Sequence, residues 1–148
     1  MGHMDETKRK FLEMLSSFQK ICDKIRFPGI SRSEFLMMHT IFVNSDGDKG
    51  IKISDLAGHL QISTPAVSRM VKGLADKGFV LRKRDKDDKR ITYASLTETG
   101  NQKRQECTEK MREIGENTMD IMGQKDMMEL IRLNEKLFCC LEKEIDQL

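Results

Sequence analysis

Residues 53–78 read ISDLAGHLQISTPAVSRMVKGLADKG. Ile53, Leu56, Ala57 and Leu60 recur at helical spacing and predict a short helix. Gln61-Ile62 is a tight connection. Ser63 suits an N-cap, and Pro65 is tolerated in a first turn whose N–H groups have no intrahelical acceptor. Ala66, Val67, Met70, Val71 and Leu74 form the expected buried side of a second helix. Gly78 ends that helix in the C′ position. Two short helices on a tight turn, with Ser, Thr and Arg facing outward on the second, are the sequence form of a helix-turn-helix.

Downstream, Phe79–Lys83 and Ile91–Leu96 alternate β-branched or aromatic residues and read as two strands of a hairpin. The loop between them is Arg84 to Arg90, the tip of RKRDKDDKR (82–90), nine consecutive charges, six basic and three acidic. Upstream, Phe11, Leu15, Phe18, Cys22 and Ile25 form one stripe of a helix over 5–26, which Phe27-Pro28-Gly29 terminates. Ser31 or Ser33 caps a helix running to about Val43, with Phe35, Met38 and Phe42 expected inward. NSDGDKG (44–50) reads as a plain loop, without the glutamate and flanking pattern of a calcium site. Thr97 caps a helix from about Glu98 to Met122, and Gly123 breaks it. A last helix over 125–147 carries Met127, Leu130, Ile131, Asn134, Leu137, Phe138, Leu141, Ile145 and Leu148. Asn134 sets register within that stripe or sits at its edge. The fold class is therefore mainly α with a small β-hairpin (α+β).

Composition narrows the function. Charged residues make up 34% of 148, and there are only two prolines, which favours helices over a sandwich. No run of about 18 apolar residues is present to span a membrane, and no secretory signal is seen, so a cytoplasmic location with reduced thiols is expected. The opening MGHM (1–4), with His3, reads as a cloning scar. From Ser63 to Arg90 nine basic residues face four acidic ones, whereas from Gln105 to Leu148 six basic face eleven acidic. A basic middle beside an acidic end points to a polyanion partner for the middle. No metal-spaced His/Cys/Asp cluster, nucleophile–base pair or glycine-rich phosphate loop occurs. No cofactor, metal or enzyme activity is expected. His39 and His59 read as ordinary structural residues.

The DLA…L…S…SR…L…KG frame (Asp55 to Gly78), the D-x-R of Asp88-Lys89-Arg90, and the LTxxG of Leu96-Thr97-Glu98-Thr99-Gly100 together resemble the winged-helix core of the MarR family of transcription regulators. The close match covers about a third of the chain. The resemblance implies a homodimer, with an N-terminal dimerisation helix (5–32), a winged helix-turn-helix (33–100) and C-terminal dimerisation helices (101–148). It implies double-stranded operator DNA as partner, pseudo-palindromic in sequence, with release in many members by a small phenolic or lipophilic effector; a repressor is expected, although the sequence does not separate repressor from activator. Two departures stand out. Gln61 occupies a turn position where glycine is common, which predicts mild strain. Lys52 replaces the Thr or Ser that often caps the first short helix.

Candidate DNA-binding residues on the recognition helix are Ser63, Thr64, Pro65, Ser68, Arg69 and Lys72. Hydroxyls and N–H groups at its start suit phosphate, and arginine suits base edges. On the wing they are Arg84, Lys86, Asp88, Lys89 and Arg90. Arginine fits a narrow minor groove, and the resemblance makes Asp88 the brace of Arg90. Asp85 and Asp87 are expected to pair with Arg84 or Lys89. The bland alternative is a solvated helix face and a soluble hairpin tip, which the two features side by side disfavour. Phe11, Leu15, Phe18, Leu130, Leu137, Phe138, Leu141 and Ile145 are the candidate dimer contacts, since a stripe too long for its own lobe is buried by a twin. Two other readings stay open: a thiol sensor acting through Cys22, against the plainer reading of a small core residue, and a winged helix that binds protein rather than DNA.

Overall fold

A computed structural model describes residues 5–147. The expected scar, residues 1–4 with His3, and Leu148 of the last stripe lie outside the described residues. The chain forms α1 (Glu6–Cys22), α2 (Arg32–Asn44), β1 (Ile51–Lys52), α3 (Ile53–Leu60), α4 (Thr64–Asp76), β2 (Val80–Arg84), β3 (Thr92–Leu96), α5 (Glu98–Met122) and α6 (Gln124–Ile145). It divides into two compact units, with the boundary inside α5 after Cys107.

The first unit holds the core. Met37, Met38 and Ile41 of α2 pack with Leu56 of α3, Val67, Val71 and Leu74 of α4, Val80 of β2 and Ala94 of β3. Leu56 and Leu74 are wholly buried, which contributes about 1.5–3 kcal/mol each. Helix α2 begins with a capping box: Ser31 accepts from the Glu34 amide at 3.1 Å and Glu34 accepts from the Ser31 amide at 2.8 Å. Ser31, not Ser33, is thus the cap. Lys77, at the end of α4, reaches Glu34 at 2.8 Å and ties α4 to the start of α2. Burial pushes the Glu34 carboxyl up, but the Lys77 ammonium and the Ser31 amide outweigh it, leaving the group below its ordinary value.

Four expectations change. Helix α1 ends at Cys22, because the Asp23, Lys24 and Ile25 amides bond back to Gln19, Ile21 and Cys22 and close the helix with turns. Ile25 thereby leaves the stripe and packs against the core. Phe42 is not inward: it is half-exposed, and Met37 and Ile41 take the core positions. The Arg104 guanidinium of α5 lies 3.7 Å from the Phe42 ring centroid, a cation–π contact that explains an aromatic at this edge. The 44–50 loop contains a turn of 3₁₀ helix (Gly47–Lys49) and leads into β1, a strand too short to read from sequence. β1 makes the hairpin a three-stranded antiparallel sheet of order β1-β3-β2, with Ile51 opposite Ala94 and Val80 opposite Leu96.

The turn between α3 and α4 explains Gln61. Its φ of 54° and ψ of 38° are left-handed, the only such non-glycine among the described residues. Glutamine there bears a steric cost that glycine avoids. Lys52 precedes α3 without a side-chain cap.

In the second unit, the end of α5 and α6 meet at Gly123, whose φ of 85° breaks the helix. Helix α6 has no buried residue, and neither has α1 in the first unit.

Candidate nucleic-acid interface

Ser63 caps α4, accepting from the Ala66 amide at 3.4 Å, and Pro65 occupies the first turn. Burying Val67, Val71 and Leu74 turns the opposite face of α4 to solvent. Ser63, Thr64, Pro65, Arg69 and Lys72 are exposed there, and Ser68 is half-buried.

The wing loop is closed by its own backbone and carboxylates. Asp85 N–H donates to the Ile91 carbonyl at 2.9 Å, and Ile91 N–H donates to the Asp88 carbonyl at 2.9 Å. Asp88 then grips Arg90 three times. Its Oδ1 accepts from the Arg90 amide and from Nε, and its Oδ2 accepts from Nη2, each at 3.0 Å. This fork is the geometry a guanidinium and a carboxylate favour. The Arg90 side-chain bond, then the Arg90 amide, hold the Asp88 carboxyl below its ordinary value, and Asp88 raises the guanidinium in turn. The pair stays charged, yet the Arg90 side chain is 91% exposed. The carboxylate restricts the direction of a side chain that otherwise projects into solvent.

Helix and wing converge. Thr64 and Ser68 of α4 face Arg82 of β2 and Arg90, Ile91 and Thr92 at the wing base across a cleft of about 240 Å³, which Lys52, Ile53 and Ser54 also line. Arg84 and Lys86 lie elsewhere, in a recess of about 360 Å³ with Lys49, Lys83, Asp85 and Tyr93. Lys86 and Lys89 are exposed. Lys52, Ser54 and Arg82 were not among the expected site residues. Arg82 belongs to the same charge run as the wing candidates, but strand alternation puts it on one face with Arg84 and does not single it out. Lys52 and Ser54 carry no such signal, because only the fold brings the start of α3 beside the wing.

Asp85 does not pair with Arg84 or Lys89. Its Oδ1 accepts from the Asp87 and Asp88 amides at 2.9 and 3.1 Å, and its Oδ2 stands 4.0 Å from Lys49 Nζ. Of the candidate dimer residues, Phe11 and Leu137 are half-buried, while Leu15, Phe18, Leu130, Phe138, Leu141 and Ile145 are exposed. Cys22 is half-buried at the last position of α1. No group of three metal-ligating side chains occurs among the described residues, and no helix of these residues is long and apolar enough to cross a membrane.

The sequence model of the MarR family matches residues 30–92. The chain is 28% identical over 138 residues to an uncharacterized HTH-type transcriptional regulator, YpoP, of Bacillus subtilis (strain 168), covering 93% of this chain and 92% of that protein. Its fold is similar to the YusO protein from Bacillus subtilis (TM-score 0.68, 20% identity, 92% of this chain and 97% of that one). It is also similar to Streptococcus pneumoniae FabT in complex with DNA (TM-score 0.70, 22% identity, 93% and 99%). Residues 30–92, which carry the helix-turn-helix and most of the hairpin, are thus the part of the chain that matches the MarR family, and the fold as a whole is that of a winged helix.

Proposed function

We propose that this chain is a transcriptional regulator that binds double-stranded DNA as a homodimer at a pseudo-palindromic operator. The observation that carries the reading is the shared cleft: the start of α4, with its exposed hydroxyls, and the braced Arg90 face one concave strip lined by Lys52, Arg82 and Arg90. A helix start of this kind suits phosphate and base edges, and a projecting arginine suits a minor groove. FabT, similar in fold, is a DNA complex in its solved structure. The test is fluorescence anisotropy with the DNA upstream of the protein's own gene, titrated across salt. About six phosphates neutralised by two protomers predict a roughly thousandfold loss of affinity between about 50 and 200 mM salt. Binding without sequence preference, or without a salt slope, removes the reading. Release by a small lipophilic or phenolic effector completes the proposal. A panel of phenols that leaves the preformed complex unchanged deletes that part.

The dimer reading rests on the uncovered apolar stripes of α1 and α6. Phe18, 68% exposed, and Phe138, 59% exposed, are large apolar surfaces facing solvent in a single chain, and a twofold partner buries such a stripe. Light scattering is expected to give twice the 17.1 kDa chain mass. Phe138→Glu is expected to yield monomer and to lose at least about tenfold in operator affinity, since one lobe then binds one half-site. A Phe138→Glu protein that remains dimeric at micromolar concentration takes Phe138 out of the interface.

A further inference from the structure

Asp85 is an acid in a loop proposed to lie against a polyanion. A carboxylate there repels phosphate, so its presence demands a compensating role. The hydrogen bonds supply one. Asp85 Oδ1 accepts from two successive amides, Asp87 at 2.9 Å and Asp88 at 3.1 Å. This is the Asx-type bonding by which a short polar side chain stands in for a backbone turn. The Asp88 amide so fixed belongs to the residue whose carboxylate forks onto Arg90. The same loop is cross-tied by Asp85 N–H to the Ile91 carbonyl and Ile91 N–H to the Asp88 carbonyl. Lys49 closes the chain of contacts from outside the wing. Its ammonium lies 4.7 Å from the centroid of the buried Tyr93 ring and 4.0 Å from Asp85.

Building on the DNA-binding reading above, we infer that Asp85 is a positioning residue for Arg90: it orders the wing tip through the Asp87 and Asp88 amides so that the Asp88 carboxylate aims the arginine. Asp85 itself touches no DNA. The amides of Asp88 and Asp87 hold its carboxyl below the ordinary aspartate range, so the brace stays charged at neutral pH. The accepting oxygen, not the charge, performs the bracing. Asparagine keeps that oxygen; alanine does not. The Lys49 contact is exposed and adds little.

Asp85→Ala and Asp85→Asn therefore form a charge-matched pair. Each deletes the same negative charge, and electrostatics alone makes both bind DNA more tightly. The brace makes them diverge. If each unbraced tip holds Arg90 in place about a third of the time, the apparent affinity of the two-winged dimer falls about tenfold. Asp85→Ala is expected to lose about tenfold in operator affinity, while Asp85→Asn stays within about twofold of the parent or improves. The Asp85→Ala loss is also expected to vanish in an Arg90→Ala background, because there is then no arginine to aim. Both variants keep the parent's melting temperature to within a few degrees, since the tip lies outside the core. Amide hydrogen exchange gives a readout that needs no DNA: protection at Asp87 and Asp88 drops in Asp85→Ala and persists in Asp85→Asn. Equal behaviour of the two variants in exchange overturns the positioning role, whatever the parent does with DNA. An undiminished penalty in the Arg90→Ala background overturns it too. Failure of the parent to bind any DNA with the expected exchange pattern intact instead removes the DNA-binding reading and leaves the brace standing.

Discussion

On the proposed reading of a dimer that binds DNA, Arg90→Ala is expected to weaken operator binding roughly ten- to hundredfold and to reduce the slope of log affinity against log salt by about one per protomer. Two features set that magnitude. The side chain is 91% exposed, so removing it creates no cavity and costs the fold nothing. Its guanidinium is nonetheless forked onto the Asp88 carboxylate, which also accepts from the Arg90 amide. The rotational freedom a long arginine surrenders on binding is therefore already largely spent. Loss of a pre-aimed group costs more than loss of a mobile one. Anisotropy against salt measures affinity and slope together, and light scattering confirms an unchanged mass. Equal operator affinity for variant and parent refutes the assignment. Arg90→Lys separates charge from geometry: lysine retains the charge but not the planar fork, so only a small recovery is expected.

Gly100→Ala is expected to be strongly destabilising. A Cβ at residue 100 meets the backbone carbonyl oxygen of Phe79 at 1.9 Å and its carbonyl carbon at 2.8 Å. Neither can rotate away as a side chain would. The same carbonyl accepts the Thr97 amide at 3.0 Å. Thr97 Oγ1 donates to the Gly78 carbonyl at 2.7 Å and accepts from the Gly100 amide at 2.9 Å. The start of α5 is thus locked to the end of α4 across a space that admits no side chain. Overpacking against backbone costs about 3 kcal/mol, or roughly 10 °C in melting temperature by circular dichroism. Gly115→Ala in the same helix is the control. Its Cβ meets nothing within 4 Å, and alanine is expected to stabilise by about 1 kcal/mol. Similar melting temperatures for the two variants contradict the close approach.

Much of the architecture is written locally. The α3-turn-α4 unit follows from apolar spacing, from Ser63 and Pro65 at one end and from Gly78 at the other, because each of these signals acts over a single turn of chain. The hairpin follows from alternation, and the D-x-R and LTxxG patterns identify the wing's tip and return. What the sequence alone determined is this order of elements, their caps and the polarity of their faces. The rest depends on residues distant in sequence. β1 is two residues long and exists because Ile51 finds Ala94. Phe42 lies at the surface because Met37 and Ile41 fill the core and Arg104, far along the chain in α5, covers its ring. The LTxxG pattern marks Gly100 but does not say what crowds it; the carbonyl of Phe79 does. The acids of the wing read as one charge run, yet tertiary structure divides them: Asp85 turns inward to amides and Lys49, and Asp88 turns to Arg90. Periodicity reports which face of an element is buried. Only packing reports against what, because a hydrogen bond or a steric limit between segments is a property of two places in the chain and is encoded in neither alone.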